Sequence, residues 1–229
     1  MKPLLSETQD SDNLKDIGRA SIQIVHDLKN QLNGLKLYAT FLRRRLEKAE
    51  RPPDEQETLA KLISGLERAA DDLSIIVLYG KRLDLKRQSG VDVQGILCTV
   101  CSSLNESQQM NGGPLGSFSF DSEPANLSGE YDPILLADAF KSISLGALKM
   151  AQVRSNQQSL KIRCRKGTGT TPTAIIEWPD VNHSTHDPFR SFAGSHEIKM
   201  SLAARIVEAH GGSAECTGSS LVVTLPLSQ

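Results

Sequence analysis

No stretch of this chain offers the run of about eighteen apolar residues that a membrane-spanning helix needs. Met1 to Asn13 is polar and lacks the apolar core of an export signal. An excess of one charge is missing too. The sequence has 26 Lys and Arg against 27 Asp and Glu, a formal net charge of -1, which argues against nucleic-acid binding through a basic face. Cysteine is scarce: Cys98, Cys101, Cys164 and Cys216 are too few for a disulfide scaffold in 229 residues. Cys98 and Cys101 form a C-x-x-C, but no second pair stands at metal spacing. Both fall in an apolar helical pattern, so they are expected to be buried thiols, and no metal site is expected. These absences leave an ordinary cytoplasmic globular chain of one or two domains, 38% hydrophobic and 23% charged, with no membrane and no nucleic acid among its partners.

What the chain does have is a long helical pattern with a histidine on the wrong side for a core. Placed at about 100° per residue, Leu14, Ile17, Ser21, Leu28, Leu32, Leu35, Leu42 and Leu46 fall within about 40° of one line. His26 falls about 160° from Leu28 on the same wheel. The stripe faces a partner and the imidazole, with Asp27 beside it, faces water. Residues 1–12 are expected as a flexible tail, with Ser11, Asp12 or Asn13 capping a helix that runs to about Glu50. Arg51-Pro52-Pro53-Asp54 breaks it.

A second helix is expected over about Glu55 to Lys81. Leu59, Ile63, Leu66, Ala70, Leu73 and Val77 step by alternating fours and threes, a coiled-coil seam. Two long antiparallel helices make a hairpin over residues 13–85, and one continuous apolar stripe cannot bury itself. Pairing two hairpins into a four-helix bundle solves this, so a homodimer is expected; packing of the hairpin on the rest of its own chain is the alternative.

Gly80 to Gly90 is charged, breaks the period and reads as a linker. Beyond it, residues 91–229 mix helices with strands. Helices are expected over Val91 to Leu104, Pro133 to about Val153 and Ile198 to His210. Strands are expected over Ser117 to Phe120, Leu127 to Tyr131, Leu160 to Arg165 and Thr173 to Trp178, with a closing hairpin from Ser213 to Cys216 and Ser220 to Leu227. The fold class is therefore α+β: a helical hairpin followed by an α/β sandwich.

His26-Asp27-Leu28-Lys29-Asn30 resembles the phosphoacceptor box of bacterial sensor histidine kinases, in which His, an acid, an aliphatic, a basic residue, Asn or Thr, then Pro follow in order. Gln31 stands where that family has Pro, which removes the usual kink and leaves the chemistry. The second half resembles the family's ATP-binding domain through Asp132-Pro133-Ile134-Leu135-Leu136, Ala204-Arg205-Ile206-Val207-Glu208-Ala209-His210-Gly211-Gly212 and Leu221-Val222-Val223-Thr224-Leu225-Pro226. On this resemblance the first domain is the dimerisation and phosphoacceptor hairpin and the second is an ATPase-like fold.

The nucleotide motifs depart from the family. Laying Ala147 and Lys149 on the first motif puts Ser142 and Gly146 where the family has two Asn, one of which holds the magnesium. Gly146 offers a metal nothing. In the second motif Asp180 survives in Trp178-Pro179-Asp180-Val181-Asn182, without the glycines. In the third, Glu197 and Lys199 replace two glycines whose bare amides would cradle phosphate. Glu197 sets a carboxylate there, a repulsion of roughly 4 kcal/mol at 4 Å in a surface-like dielectric, which Lys199 partly offsets. His183 and His186 fall in the loop that forms the family's lid and are read as solvated.

An intact box beside a degenerate pocket resembles the ATP-independent histidine phosphotransferases of phosphorelays. The resemblance implies that His26 takes a phosphoryl group from a receiver-domain aspartate and passes it to another, with Asp27 and Asn30 orienting ring and phosphoryl oxygens. No ATP is required, magnesium comes with the receiver, and the partners are a second copy and response-regulator receivers. A divergent ATP-using autokinase and a non-catalytic pseudokinase dimer that docks response regulators are the alternatives.

Overall fold

The computed structural model describes residues 5–46, 53–110, 117–123, 125–152, 159–181, 187–192 and 195–228. His183, His186, Asn182, the break at Arg51 and Pro52, and the expected ends of two helices at Glu50 and Val153 lie outside them. The chain divides into two compact units, Met1–Arg82 and Leu83–Gln229.

The first unit is a helical hairpin, α1 (Leu5–Leu46) and α2 (Pro53–Gly80). Helix α1 already covers Leu5 to Asn13, so Ser11, Asp12 and Asn13 lie within it rather than capping it. Helix α2 opens on Pro53, suited to a first turn because it lacks a backbone donor, with Asp54 and Glu55 complementing the helix dipole. The seam between the helices matches the spacing read on α2: Ile63, Ala70 and Val77 are buried, and Leu59, Leu66 and Leu73 are half-buried. From α1 it takes Ala39, buried, and Ile22, Val25 and Leu32, half-buried. Lys36 Nζ and Glu67 Oε1, 2.9 Å apart, tie the helices across their surface. Other members of the expected α1 stripe stay largely open, although Leu42 borders a cleft with Leu59 and Leu62 of α2. Leu28, Leu35 and Leu42 are 45%, 54% and 52% exposed within one chain.

The second unit holds β1 (Gln88–Asp92), α3 (Val93–Met110), β2 (Ser117–Ser122), β3 (Ser128–Tyr131), α4 (Pro133–Gln152), β4 (Ser159–Lys166), β5 (Thr173–Trp178), α5 (Ser195–Ala209), β6 (Ser213–Thr217) and β7 (Ser220–Pro226). Five strands form a sheet in the order β2-β4-β5-β7-β6. Only β2 and β4 run parallel; the other neighbours are antiparallel. Alternation decides which face is covered: Leu160, Ile162 and Cys164 of β4, Ala174, Ile176 and Trp178 of β5, and Leu221, Val223 and Leu225 of β7 are all buried. Helices α3, α4 and α5 supply the other side of that core through Leu97, Leu104, Phe140, Ile143, Met200 and Val207.

The expected linker ends in a strand. Gln88–Asp92 pairs antiparallel with β3 as a separate two-stranded sheet. Its sequence, Gln-Ser-Gly-Val-Asp, has no apolar alternation, which is why it read as linker. Helix α3 begins at Val93 rather than Val91, since Asp92 caps it by accepting from the amides of Gln94 and Gly95 at 3.0 Å. Cys98 is exposed, which corrects the expectation of two buried thiols; only Cys101 of the pair is buried. Helix α5 ends on Gly211, at φ 81°, and Gly212 donates back to Val207 O at 3.1 Å. A left-handed residue there costs glycine nothing.

Candidate functional site

His26 sits in the middle of α1, where the helix fixes its direction. Its side chain is 53% exposed and that of Asp27 is 59%. Two neighbours reach the same ring nitrogen. Asp27 Oδ1 stands 3.5 Å from His26 Nδ1, and Asn30 Nδ2 stands 3.4 Å from it, one turn on. The three residues read from the sequence as the reactive group are therefore together.

These two contacts demand opposite protonation of Nδ1. The Asp27 carboxylate accepts a hydrogen from Nδ1, which leaves the lone pair on Nε2. The Asn30 amide donates to a bare Nδ1, and the ring hydrogen then sits on Nε2. Both separations are long for a hydrogen bond, so neither partner locks the ring. Neither uses Nε2, the atom a docking partner would meet. Neutral imidazole with a free Nε2 lone pair is a nucleophile near neutral pH.

The nucleotide-motif positions form a different picture in the second unit. Ser142 and Gly146 lie on α4, half-buried and buried. A Cβ built on Gly146 would overlap Met200 Sδ and stand 2.9 Å from its Cγ, so the side chain of Met200, from α5, fills the place a residue at 146 would use. Two positions away on α4, the buried Ser144 Oγ accepts from Trp178 Nε1 at 2.9 Å. Asp180 is exposed just beyond β5, at φ 59°, a left-handed conformation that Asp tolerates better than most residues. Glu197 and Lys199 lie within α5, with Glu197 in its first turn, rather than in a turn before the helix. A carboxylate there meets the positive end of the helix dipole, the place that favours an anion. Among the described residues no group of three or more His, Cys, Asp or Glu has the arrangement to hold a metal ion.

Sequence reasoning missed a second histidine. His210 is buried at the end of α5, donates from Nδ1 to Ile206 O at 2.7 Å and accepts at Nε2 from the Asp132 amide at 3.0 Å. Burial depresses its pKa; nearby Arg87 adds to the effect. The Asp132 carboxylate caps α4 through the amides of Ile134 and Leu135 and accepts from the Lys86 amide at 2.9 Å. Burial opposes its charge, but these backbone hydrogen bonds outweigh it and hold the carboxyl below its usual range. Tyr131, against the His210 ring, donates from its hydroxyl to Pro226 O. The text Asp132-Pro133 and Ala209-His210-Gly211 marked both ends of this network, but only folding brings them together.

No family model matches the sequence, and no curated protein matches it. The solved structures do. Full-length ShkA in complex with AMPPNP superposes with a TM-score of 0.64 at 15% identity, covering 90% of this chain and 45% of that one. Histidine kinase ThkA in complex with the response regulator protein TrrA gives 0.59 at 16% identity, covering 97% of this chain and 65% of ThkA. Acinetobacter baumannii histidine kinase AdeS gives 0.54 at 13%, over 86% of this chain and 96% of that one. The chain therefore spans less than half the length of ShkA, and it has the fold of the histidine kinase core. No helix among the described residues is long and apolar enough to cross a membrane.

Proposed function

We propose that this chain is a histidine phosphotransferase of a two-component phosphorelay, working as a homodimer and without ATP. One observation carries the reading: His26 is held outward on a helix with Asp27 and Asn30 at Nδ1. In the step, Nε2 attacks the phosphorus of a receiver's aspartyl phosphate. The N–P bond forms, the acyl P–O bond breaks, and the receiver's carboxylate leaves. Asp27 accepts a hydrogen bond from Nδ1–H and steadies the positive charge that grows on the ring. Asn30 turns its amide from the ring to a phosphoryl oxygen. The reverse step passes the group to a second receiver, and the receiver brings its own magnesium.

The fold supports a place in two-component signalling, and the complex of ThkA with a response regulator supports receivers as partners. ShkA was solved with AMPPNP, but here Met200 packs over Gly146 and Glu197 takes the helix terminus, which supports a route that bypasses ATP. Homodimerisation is supported by Leu28, Leu35 and Leu42, apolar and half exposed along one side of the hairpin.

The test is label transfer. A receiver carrying labelled aspartyl phosphate should label the wild-type chain and not His26→Ala, while labelled ATP with magnesium should label neither. Failure of every receiver to label the wild type would sink the proposal. Labelling by ATP alone would make it an autokinase.

A further inference from the structure

Gly146 occupies the interior of a helix of 20 residues, where glycine weakens the helix relative to alanine. Something must offset that loss, and the neighbour across the α4–α5 contact shows what. Met200 is 1% exposed, and its thioether lies where a Cβ on Gly146 would be. Ile143 and Ala147 on α4, with Ala203 and Val207 on α5, are buried as well. At the same end Ser201 Oγ donates to Ser191 O at 2.8 Å, which holds the approach to α5 down.

We propose that Met200 is an internal plug. Its side chain seats in the notch left by Gly146, closes the space between α4 and α5, and holds the two helices together without a ligand. Methionine suits the part, because an unbranched thioether can fill an irregular gap. A side chain at 146 would first have to displace the Met200 thioether. The proposal goes beyond phosphotransfer at His26 and does not rest on it: packing between α4 and α5 can hold whether or not His26 carries phosphate.

The experiment is a cycle on the full chain: Gly146→Ala, Met200→Ala and the double variant. The chain has one tryptophan, Trp178, which is fully buried and bonded to Ser144 on α4, so its fluorescence reports unfolding of this unit alone. With Met200 present, Gly146→Ala should lower the thermal midpoint by several degrees. In the Met200→Ala background the same change should raise it, since alanine fills the vacated space and favours the helix. If Gly146→Ala fails to fold, recovery of folding in the double variant supports the plug; a double variant that stays unfolded while Met200→Ala folds overturns it. Equal effects of Gly146→Ala in both backgrounds also overturn it. Millimolar ATP with magnesium should leave the wild-type midpoint unmoved, and a rise would mean that nucleotide finds an open site there.

Discussion

The two units of this chain handle polar and apolar groups in opposite ways. The hairpin displays them: His26, Asp27 and Asn30 stand in solvent, and Leu28, Leu35 and Leu42 stand half exposed on another side of α1. The second unit hides them: His210, Asp132, Ser144 and Ser201 are buried and hydrogen-bonded, and a methionine fills the gap between its helices. A group meant for a large partner must be both fixed and reachable, and the outer face of a long helix supplies both. An unfilled space between packed helices is a liability, because it forfeits contacts. Met200, buried against Gly146, makes that space part of the core.

The largest effect that would break this contrast is chemical. His26→Ala should abolish labelling from a phosphorylated receiver while leaving Trp178 fluorescence and the thermal midpoint of the second unit unchanged. Asp27→Asn should keep the geometry and remove the charge that steadies the ring. Its expected cost is roughly 100-fold in transfer rate, the lower range for a positioned proton acceptor. A transfer rate equal to wild type in Asp27→Asn would remove Asp27 from the mechanism.

Next in size is assembly. Burying Leu35 and its neighbours against a second copy stabilises by about 1.5–3 kcal/mol per leucine, counted once on each chain. Leu35→Glu should then weaken self-association by roughly 100-fold or more, read by sedimentation equilibrium. An unaltered dimer in Leu35→Glu would place the interface elsewhere. A wild type that is monomeric at high concentration would leave the exposed leucines without a second copy to cover them.

The hairpin was the more legible unit, and the reason is physical. A helix seam repeats, so Leu59, Ile63, Leu66, Ala70, Leu73 and Val77 announce their common face without any knowledge of the partner. The same arithmetic put His26 and Asn30 on one side, and they are 3.4 Å apart. It could not divide α1's apolar residues between the seam with α2 and the open side. Leu28 and Leu32 lie only about 40° apart on the wheel. The strands β4, β5 and β7 were legible because one face is buried and the alternation is clean. Strand β1 was not, since a polar pairing with β3 leaves no pattern. The pocket positions were named from resemblance, yet the packing at one of them was out of reach. Gly146 and Met200 are far apart in sequence, and no local signal says that one fills the notch of the other.

The smallest effect sharpens the contrast from the buried side, through pH. His210 is neutral in the fold: its Nε2 must accept from Asp132, and burial depresses its pKa. The unfolded chain, with an ordinary histidine, binds a proton near pH 6.5 while the folded one does not. Stability of the second unit is therefore full above about pH 6.5 and falls as pH drops toward the depressed folded value, by at most about 1.4 kcal/mol per pH unit for one proton. Asp132 acts lower down. Its folded pKa is depressed too, so its contribution is present above the ordinary carboxylate range and is lost in more acid solution. Denaturant titrations followed by Trp178 at pH 8 and pH 5.5 should show the first loss in the wild type. His210→Gln, which keeps an acceptor for the Asp132 amide and cannot titrate, should lose stability at both values but erase most of the difference between them.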